Sequence, residues 1–194
     1  MKRVGLTGNM GAGKSTVAKV FNVMGVPVYH ADQQAKTFLQ TEAVAQQIRN
    51  LFGEKVVNQD LIVDRKALAQ IVFNDKAQLD ALNHIIHPLV KQDFEEWCLE
   101  HERYRYIIHE AAVLFESGFD RLFDSTILVM APEELCISRV MQRDGMSKDM
   151  VIARLLNQWS QEEKQELATY LILNNDLVSV IPQIISIHDK ILAS

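Results

Sequence analysis

Cysteine is scarce: the 194 residues include two, Cys98 and Cys136, far apart and with no ligand-type spacing around them. That excludes a disulfide framework and a clustered-thiolate zinc site, and it suits a reducing cytosol, so a cytoplasmic location is expected. No apolar run approaches the ~18 residues needed to cross a bilayer. Positive charge is not in excess either: 20 Lys and Arg stand against 25 Asp and Glu, a formal net charge of −5. Attachment to nucleic acid or to an anionic membrane by bulk charge is therefore not expected, and only a local basic site stays open. Internal repeats and low-complexity linkers are absent. What is present is ordinary globular composition, 48% hydrophobic and 23% charged, long enough for about one compact domain with appendages. The opening Met1-Lys2-Arg3 has the charge of a signal peptide, but glycines and Lys14 interrupt the apolar stretch that should follow. The mature chain is expected to begin at Met1.

Short apolar runs recur at residues 3–7, 26–29, 104–109, 126–130 and 170–173, each bounded by turn or helix signals. Their length and β-branched content predict buried strands, and the helical stretches between them predict a parallel α/β sheet of about five strands. The second and third runs lie too far apart for a single crossover. Helical patterns at 31–39, 42–52, 65–73 and 76–101 fill the gap. A second helical stretch, near 143–166, separates the fourth and fifth strands, with Ser147 and Ser160 as N-caps and Glu163 completing a capping box with Ser160. The expected organisation is a core of 1–31, 102–142 and 167–194, a helical insertion of 32–101 and a lid of 143–166. In the last helix of the insertion the apolar phase runs through Leu79, Leu82, Ile86 and Leu89, then restarts at Val90, Phe94 and Trp97. The restart falls at Pro88, predicting a kink that is either a plain surface feature or a device turning His87 toward a ligand.

Gly8-Asn9-Met10-Gly11-Ala12-Gly13-Lys14-Ser15 satisfies every fixed position of G-x-x-x-x-G-K-[ST], between an apolar strand and an amphipathic run of Val17, Val20, Phe21 and Met24. Glycines let the backbone curl until its N–H groups converge on phosphate oxygens, and the following helix points its positive end at the same anion. Lys14 can reach the β- and γ-phosphates, and the Ser15 hydroxyl can ligate Mg²⁺. The sequence therefore predicts a nucleoside triphosphate site with Mg²⁺ as a cofactor. The D-x-x-G and N-K-x-D elements of switch GTPases are missing. A short chain with two helical insertions suits a small-molecule kinase, which needs one flap for the acceptor and another to exclude water.

Ligands of an open α/β sheet lie beyond the carboxyl ends of its strands, which singles out Asp32 and Glu110. Asp32 suits the carboxylate that orients the attacking hydroxyl and takes its proton, with a helix N-cap as the structural alternative. Glu110 suits the metal shell. Arg139 and Arg143 lie at i, i+4 on a helix starting after Pro132, with no acidic partner apparent nearby. A polyphosphate would compensate them. Arg154 and Gln158 repeat the pattern more weakly.

Taken together, Val4-Gly5-Leu6-Thr7-Gly8, Lys14-Ser15-Thr16, His30-Ala31-Asp32, Asp64-Arg65 with Val72-Phe73, His87-Pro88, Leu114-Phe115-Glu116, Arg139, Arg143-Asp144, Arg154, Gln158 and Asn174-Asn175 resemble the dephospho-CoA kinase family almost end to end. The resemblance implies a P-loop kinase core, a helical insertion for the CoA precursor and a helical lid. It implies transfer of the ATP γ-phosphate to the ribose 3′-hydroxyl of dephospho-CoA, the last step of CoA synthesis. By the same resemblance Asp32 matches the catalytic base, with Lys14 and Arg139 beside it. Gly8 to Thr16, Arg139, Arg143 and Asn175 would hold the nucleotide, and Asp32, Arg65, His87 and Glu116 the acceptor. Ser15 and Glu110 would hold the metal. A monomer or weak homo-oligomer is expected, with no nucleic-acid or membrane partner. Where the family usually carries proline and aspartate, this chain has Ala112 and Thr169. A kinase for a nucleoside monophosphate or another small alcohol, and a nucleotide-dependent binding module without turnover, stand as alternatives.

Overall fold

The computed structural model describes residues 1–194. The chain divides into two compact units, one of Met1–His30 with Trp97–Ser194 and one of Ala31–Glu96. The first is built on five parallel strands in the order β2-β3-β1-β4-β5, where β1 is Lys2–Thr7, β2 Val28–His30, β3 Tyr106–Glu110, β4 Ser125–Met130 and β5 Tyr170–Leu173. All five residues of β3 are buried, as continuous apolar runs in a sheet covered on both faces require. Helices α1 (Lys14–Val23) and α9 (Val180–Ala193) contribute Val17, Ala18, Phe21, Ile184, Ile187 and Ile191 to one core with Val4, Leu6, Ile108, Ile127, Val129 and Ile172. The i, i+3, i+4 and i+7 spacings of these helical residues are the amphipathic stripe the sequence displays.

The strand at the edge departs from the expected burial. In β5 only Ile172 is buried, while Leu171 and Leu173 are 43% and 44% exposed. An edge strand has a neighbour on one side only, and alternate side chains leave its second face open.

Between β4 and β5 lie α6 (Glu133–Asp144), α7 (Lys148–Leu155) and α8 (Gln161–Leu167). Ser147 caps α7 by accepting from the Met150 N–H, and Ser160 and Glu163 form the reciprocal box at the start of α8, each worth about 1 kcal/mol. Ile137 and Val140 of α6 pack with Val151 of α7, and Met10, Met146, Ile152 and Leu155 close around them.

The second unit is helical: α2 (Ala31–Phe38), α3 (Glu42–Phe52), α4 (Arg65–Val72) and most of α5 (Lys76–Glu100). Asp64 caps α4 by accepting from the Lys66 and Ala67 N–H groups. The expected phase restart at Pro88 does not occur. Helix α5 runs through Pro88 unbroken, and Ile86, Val90, Phe94 and Cys98 form one buried row at i+4 spacing. Pro88 itself is exposed, so the hydrogen bond it cannot donate is lost on the side where water can replace it.

His109 on β3 is 2% exposed, stacked on Tyr29 with ring centroids 5.3 Å apart and tilted against Phe123 at 5.1 Å. Burial pushes its imidazole pKa down to about 4, against ~6.5 in an unfolded chain. Between those values the unfolded chain holds a proton the folded chain refuses. Stability therefore falls as pH drops from ~6.5 toward 4, by up to ~3 kcal/mol from this residue. Denaturant midpoints for the native chain and His109→Phe, compared at pH 7.5 and 5, test this. The variant keeps the ring contacts and is expected to lose less stability on acidification than the native chain, and equal sensitivity in both would refute it.

Candidate active site

The phosphate-binding geometry begins where β1 ends. Gly13 sits at φ 100° in the left-handed region and starts α1 with no side-chain cap. The first N–H groups of a helix have no partner within it, so this end presents donors and a positive dipole to the loop's hollow. Gly11, at φ 85°, passes so close to α6 that a Cβ would lie 2.3 Å from the Cys136 carbonyl oxygen. No other residue fits there without moving backbone. Lys14 is only 8% exposed, and its ammonium donates to the carbonyls of Gly8 at 2.8 Å and Asn9 at 3.4 Å. These main-chain acceptors hold the ammonium over the loop.

Parallel pairing of β1 with β3 sets Leu6 opposite Glu110, which places Glu110 at the carboxyl end of the sheet beside the loop. The Ser15 hydroxyl donates to Glu110 Oε1 at 3.1 Å, and Glu110 Oε2 lies 2.5 Å from His30 Nδ1. A hydroxyl and a carboxylate are the hard oxygen donors Mg²⁺ prefers. Mg²⁺ commonly takes one or two protein oxygens of this kind and completes its shell with waters and phosphate oxygens. The residues present fit Mg²⁺. His30 as the second partner of Glu110 was not singled out from the sequence, because only the β2–β3 register, His30 opposite Glu110, brings it there.

The two arginines of α6 diverge. Arg139 donates to the Gly11 carbonyl at 3.4 Å, to the Asn174 carbonyl at 3.2 Å and to Asp176 at 2.5 Å, so its guanidinium lies against the loop. Arg143 instead makes a two-point pair with the adjacent Asp144, both contacts at 2.8 Å. The expectation of two arginines without acidic partners is therefore corrected: Asp144 pairs with Arg143 from the next position, and Asp176 reaches Arg139 from the loop after β5. Asn175 accepts from the Leu177 and Val178 N–H groups and so shapes its own turn. Asn174 is the residue that reaches the P-loop, donating to the Ala12 carbonyl at 2.7 Å.

The segment 157–164 is tied to the same loop. Gln158 Oε1 accepts from the Met10 N–H at 3.0 Å, and the Asn9 amide donates to the Trp159 carbonyl at 3.2 Å. Lys164, fully buried, donates to Asn9 Oδ1 at 2.9 Å, to the Ala112 carbonyl at 3.2 Å and to Glu116 Oε1 at 2.7 Å. Burial lowers the Lys164 pKa, and Glu116 opposes the shift. Removing one partner from such a buried pair typically costs about 3–5 kcal/mol. Nothing in the sequence marks Lys164, since Glu162-Glu163-Lys164 reads as an exposed helix face. The two departures from the family pattern are both accommodated. The Ala112 carbonyl accepts from Thr7 as well as Lys164, and Thr169 exchanges side-chain to backbone hydrogen bonds with Thr126 at 3.1 Å each.

Asp32, Arg65 and His87 belong to the helical unit. Asp32 is exposed in the first turn of α2 and is not its N-cap, since the helix starts at Ala31 directly after β2. Arg65 is the first residue of α4 and lines a groove of about 760 Å³ with Gln40, Glu42, Asp60 and Ile62. His87 is half-buried on α5, its pKa lowered by burial and by His84.

Comparisons with known proteins agree along the whole chain. A family model described as dephospho-CoA kinase matches residues 2–179. A dephospho-CoA kinase from Bacteroides fragilis is 37% identical over 95% of this chain and 90% of its own length, and one from Chlorobaculum tepidum is 41% identical over 89% and 86%. Among solved structures, TT1252 from Thermus thermophilus superposes with a TM-score of 0.83 at 35% identity, covering 99% of this chain and 96% of that one. The dephospho-CoA kinase from Campylobacter jejuni gives 0.69 at 27% identity, covering 98% and 97%. The shikimate kinase of Acinetobacter baumannii, at 0.53 and 16% identity over 100% and 94%, shares the fold alone. With the P-loop cradle, the five-stranded parallel sheet and matches of this extent, the chain belongs to the dephospho-CoA kinase family of ATP-dependent P-loop kinases.

Proposed function

We propose that this chain transfers the γ-phosphoryl group of ATP to the ribose 3′-hydroxyl of dephospho-CoA, with Asp32 as the base, Lys14 and Arg139 as the cations at the transferring phosphate, and 143–166 as the lid. The observation that carries this reading is the P-loop with its buried Lys14 and with Ser15 hydrogen-bonded to a strand-end carboxylate, in a chain that spans the family's length. The backbone of Gly8–Ser15 would cradle the phosphates and Lys14 would meet the charge that grows on the bridging oxygen. Mg²⁺, when bound, would neutralise the β- and γ-phosphate oxygens, with Ser15 and Glu110 as its protein-side donors. Asp32 would accept the proton of the attacking hydroxyl. Arg65, His87 and Glu116 are assigned to the acceptor; Arg143 and Asn175 would reach the nucleotide only by leaving their present partners. Product formation from ATP with dephospho-CoA, set against AMP and pantothenate as acceptors, tests the assignment. Strong preference for dephospho-CoA supports it, and preference for AMP would move the chain to the nucleoside monophosphate alternative.

The metal assignment has its own test. Glu110→Gln keeps the size and one hydrogen-bonding oxygen but removes the charge, so the Mg²⁺ concentration for half-maximal activity is expected to rise by about tenfold. Titration of activity against Mg²⁺ reads this. An unchanged midpoint would remove Glu110 from the metal shell.

A further inference from the structure

Lys164 is the most deeply buried cation of the chain and lies outside the P-loop motif. Its ammonium carries three protons and meets three acceptors: Asn9 Oδ1, the Ala112 carbonyl and Glu116 Oε1. These belong to two separate stretches of backbone, the second residue of the P-loop and the turn that follows β3 and carries both Ala112 and Glu116. The Asn9 amide is gripped at both ends, its oxygen by Lys164 and its nitrogen by the Trp159 carbonyl. The next loop residue, Met10, gives its N–H to Gln158. Glu116 Oε1 accepts from the Trp159 N–H as well as from Lys164, so one carboxylate oxygen joins the chain before α8 to the lysine within it.

We propose that Lys164 is a positioning residue for the nucleotide: by fixing the Asn9 side chain it holds the first half of the P-loop in its phosphate-binding shape and couples that shape to Glu116 and to the 157–164 segment. This rests on the P-loop being the ATP site. Asn9 is held at both its main chain and its side chain: its carbonyl accepts from the Ala12 N–H and from Lys14, and its amide is the link that ties this turn of the loop to the rest of the core. A loop that binds phosphate through oriented main-chain groups loses affinity when its first turn can rotate, because the ordering must then be supplied by the ligand. The protein supplies it beforehand through a charge-assisted hydrogen bond shielded from water.

A purely structural lysine would neutralise Glu116 and nothing more. The two roles separate in Lys164→Met and in the pair Lys164→Met with Glu116→Gln. The methionine fills the volume, and the pair leaves no uncompensated charge in the buried site. Thermal unfolding, ATP affinity by calorimetry and steady-state kinetics with both substrates are measured on each. If Lys164 positions the loop, the single variant binds ATP about tenfold more weakly or worse, while KM for dephospho-CoA stays within about twofold. The pair then regains thermal stability without regaining ATP affinity. Asn9→Ala is expected to weaken ATP to at least a similar degree, and adding it to the pair is expected to cost less than it does alone, since the pair has already cut one of its two links. Recovery of ATP affinity in the pair to within about twofold of the native value would overturn the proposal. So would equal loss toward both substrates in the single variant. Should Lys164→Met fail to fold, the ATP affinity of the pair carries the measurement. Failure of the native protein to bind ATP would refute the functional reading itself.

Discussion

Asp32→Asn is expected to lower kcat by about 10²–10⁴ while leaving the affinity for ATP nearly unchanged. Asp32 lies in the first turn of α2, exposed, and the helix does not use it as an N-cap. The substitution therefore removes no cap, although it removes a favourable charge near a helix N-terminus worth about 0.3–1 kcal/mol. Asparagine keeps the size and a carbonyl acceptor, so an acceptor hydroxyl can still be bound. The lost property is basicity, needed as the hydroxyl gives up its proton. Full titration against each substrate and against Mg²⁺ checks the assignment. Rescue of the variant by excess Mg²⁺ would make Asp32 a metal-shell residue and end its role as base.

Lys14→Ala is expected to reduce turnover by about 10²–10³, with the fold retained. The ammonium donates to the main-chain carbonyls of Gly8 and Asn9, which hold it at the phosphate loop. Its low exposure matters to the size of the effect, because a charge kept from water acts on a developing negative charge with little screening. Unlike Asp32→Asn, this variant is also expected to bind ATP more weakly, since the γ-phosphate is charged before the reaction begins. Single-turnover rates and ATP affinity, with circular dichroism to verify folding, distinguish the two. Near-native turnover would remove Lys14 from the reaction.

The sequence by itself determined the elements and the phosphate loop. Hydrophobic runs of strand length placed all five strands to within a few residues, β1 and β5 among them. The Ser160 capping box was legible because its two members lie three residues apart on one helix. The P-loop was legible for the same reason: its glycines, lysine and serine act through backbone conformation and short reach, which are local properties of the chain.

What the loop touches was decided only by tertiary structure. Glu110 meets Ser15 because the β1–β3 register sets Leu6 opposite Glu110, and His30 meets Glu110 through the β2–β3 register. Asn174 rather than Asn175 reaches Ala12 because β5 ends opposite Met130 of β4, where the Asn174 N–H bonds the Met130 carbonyl and its side chain turns to the loop. Arg139 and Arg143 look equivalent at i, i+4, yet one lies on the loop and the other pairs with Asp144. Lys164 is the extreme case, an apparently solvated helix residue that the packing of α8 buries against three acceptors. Periodicity and turn chemistry act over a few residues and are written in the chain, whereas a contact across 95 or 155 positions, such as Ser15 to Glu110 or Asn9 to Lys164, depends on sheet order and helix docking, which exist only once the whole core has packed.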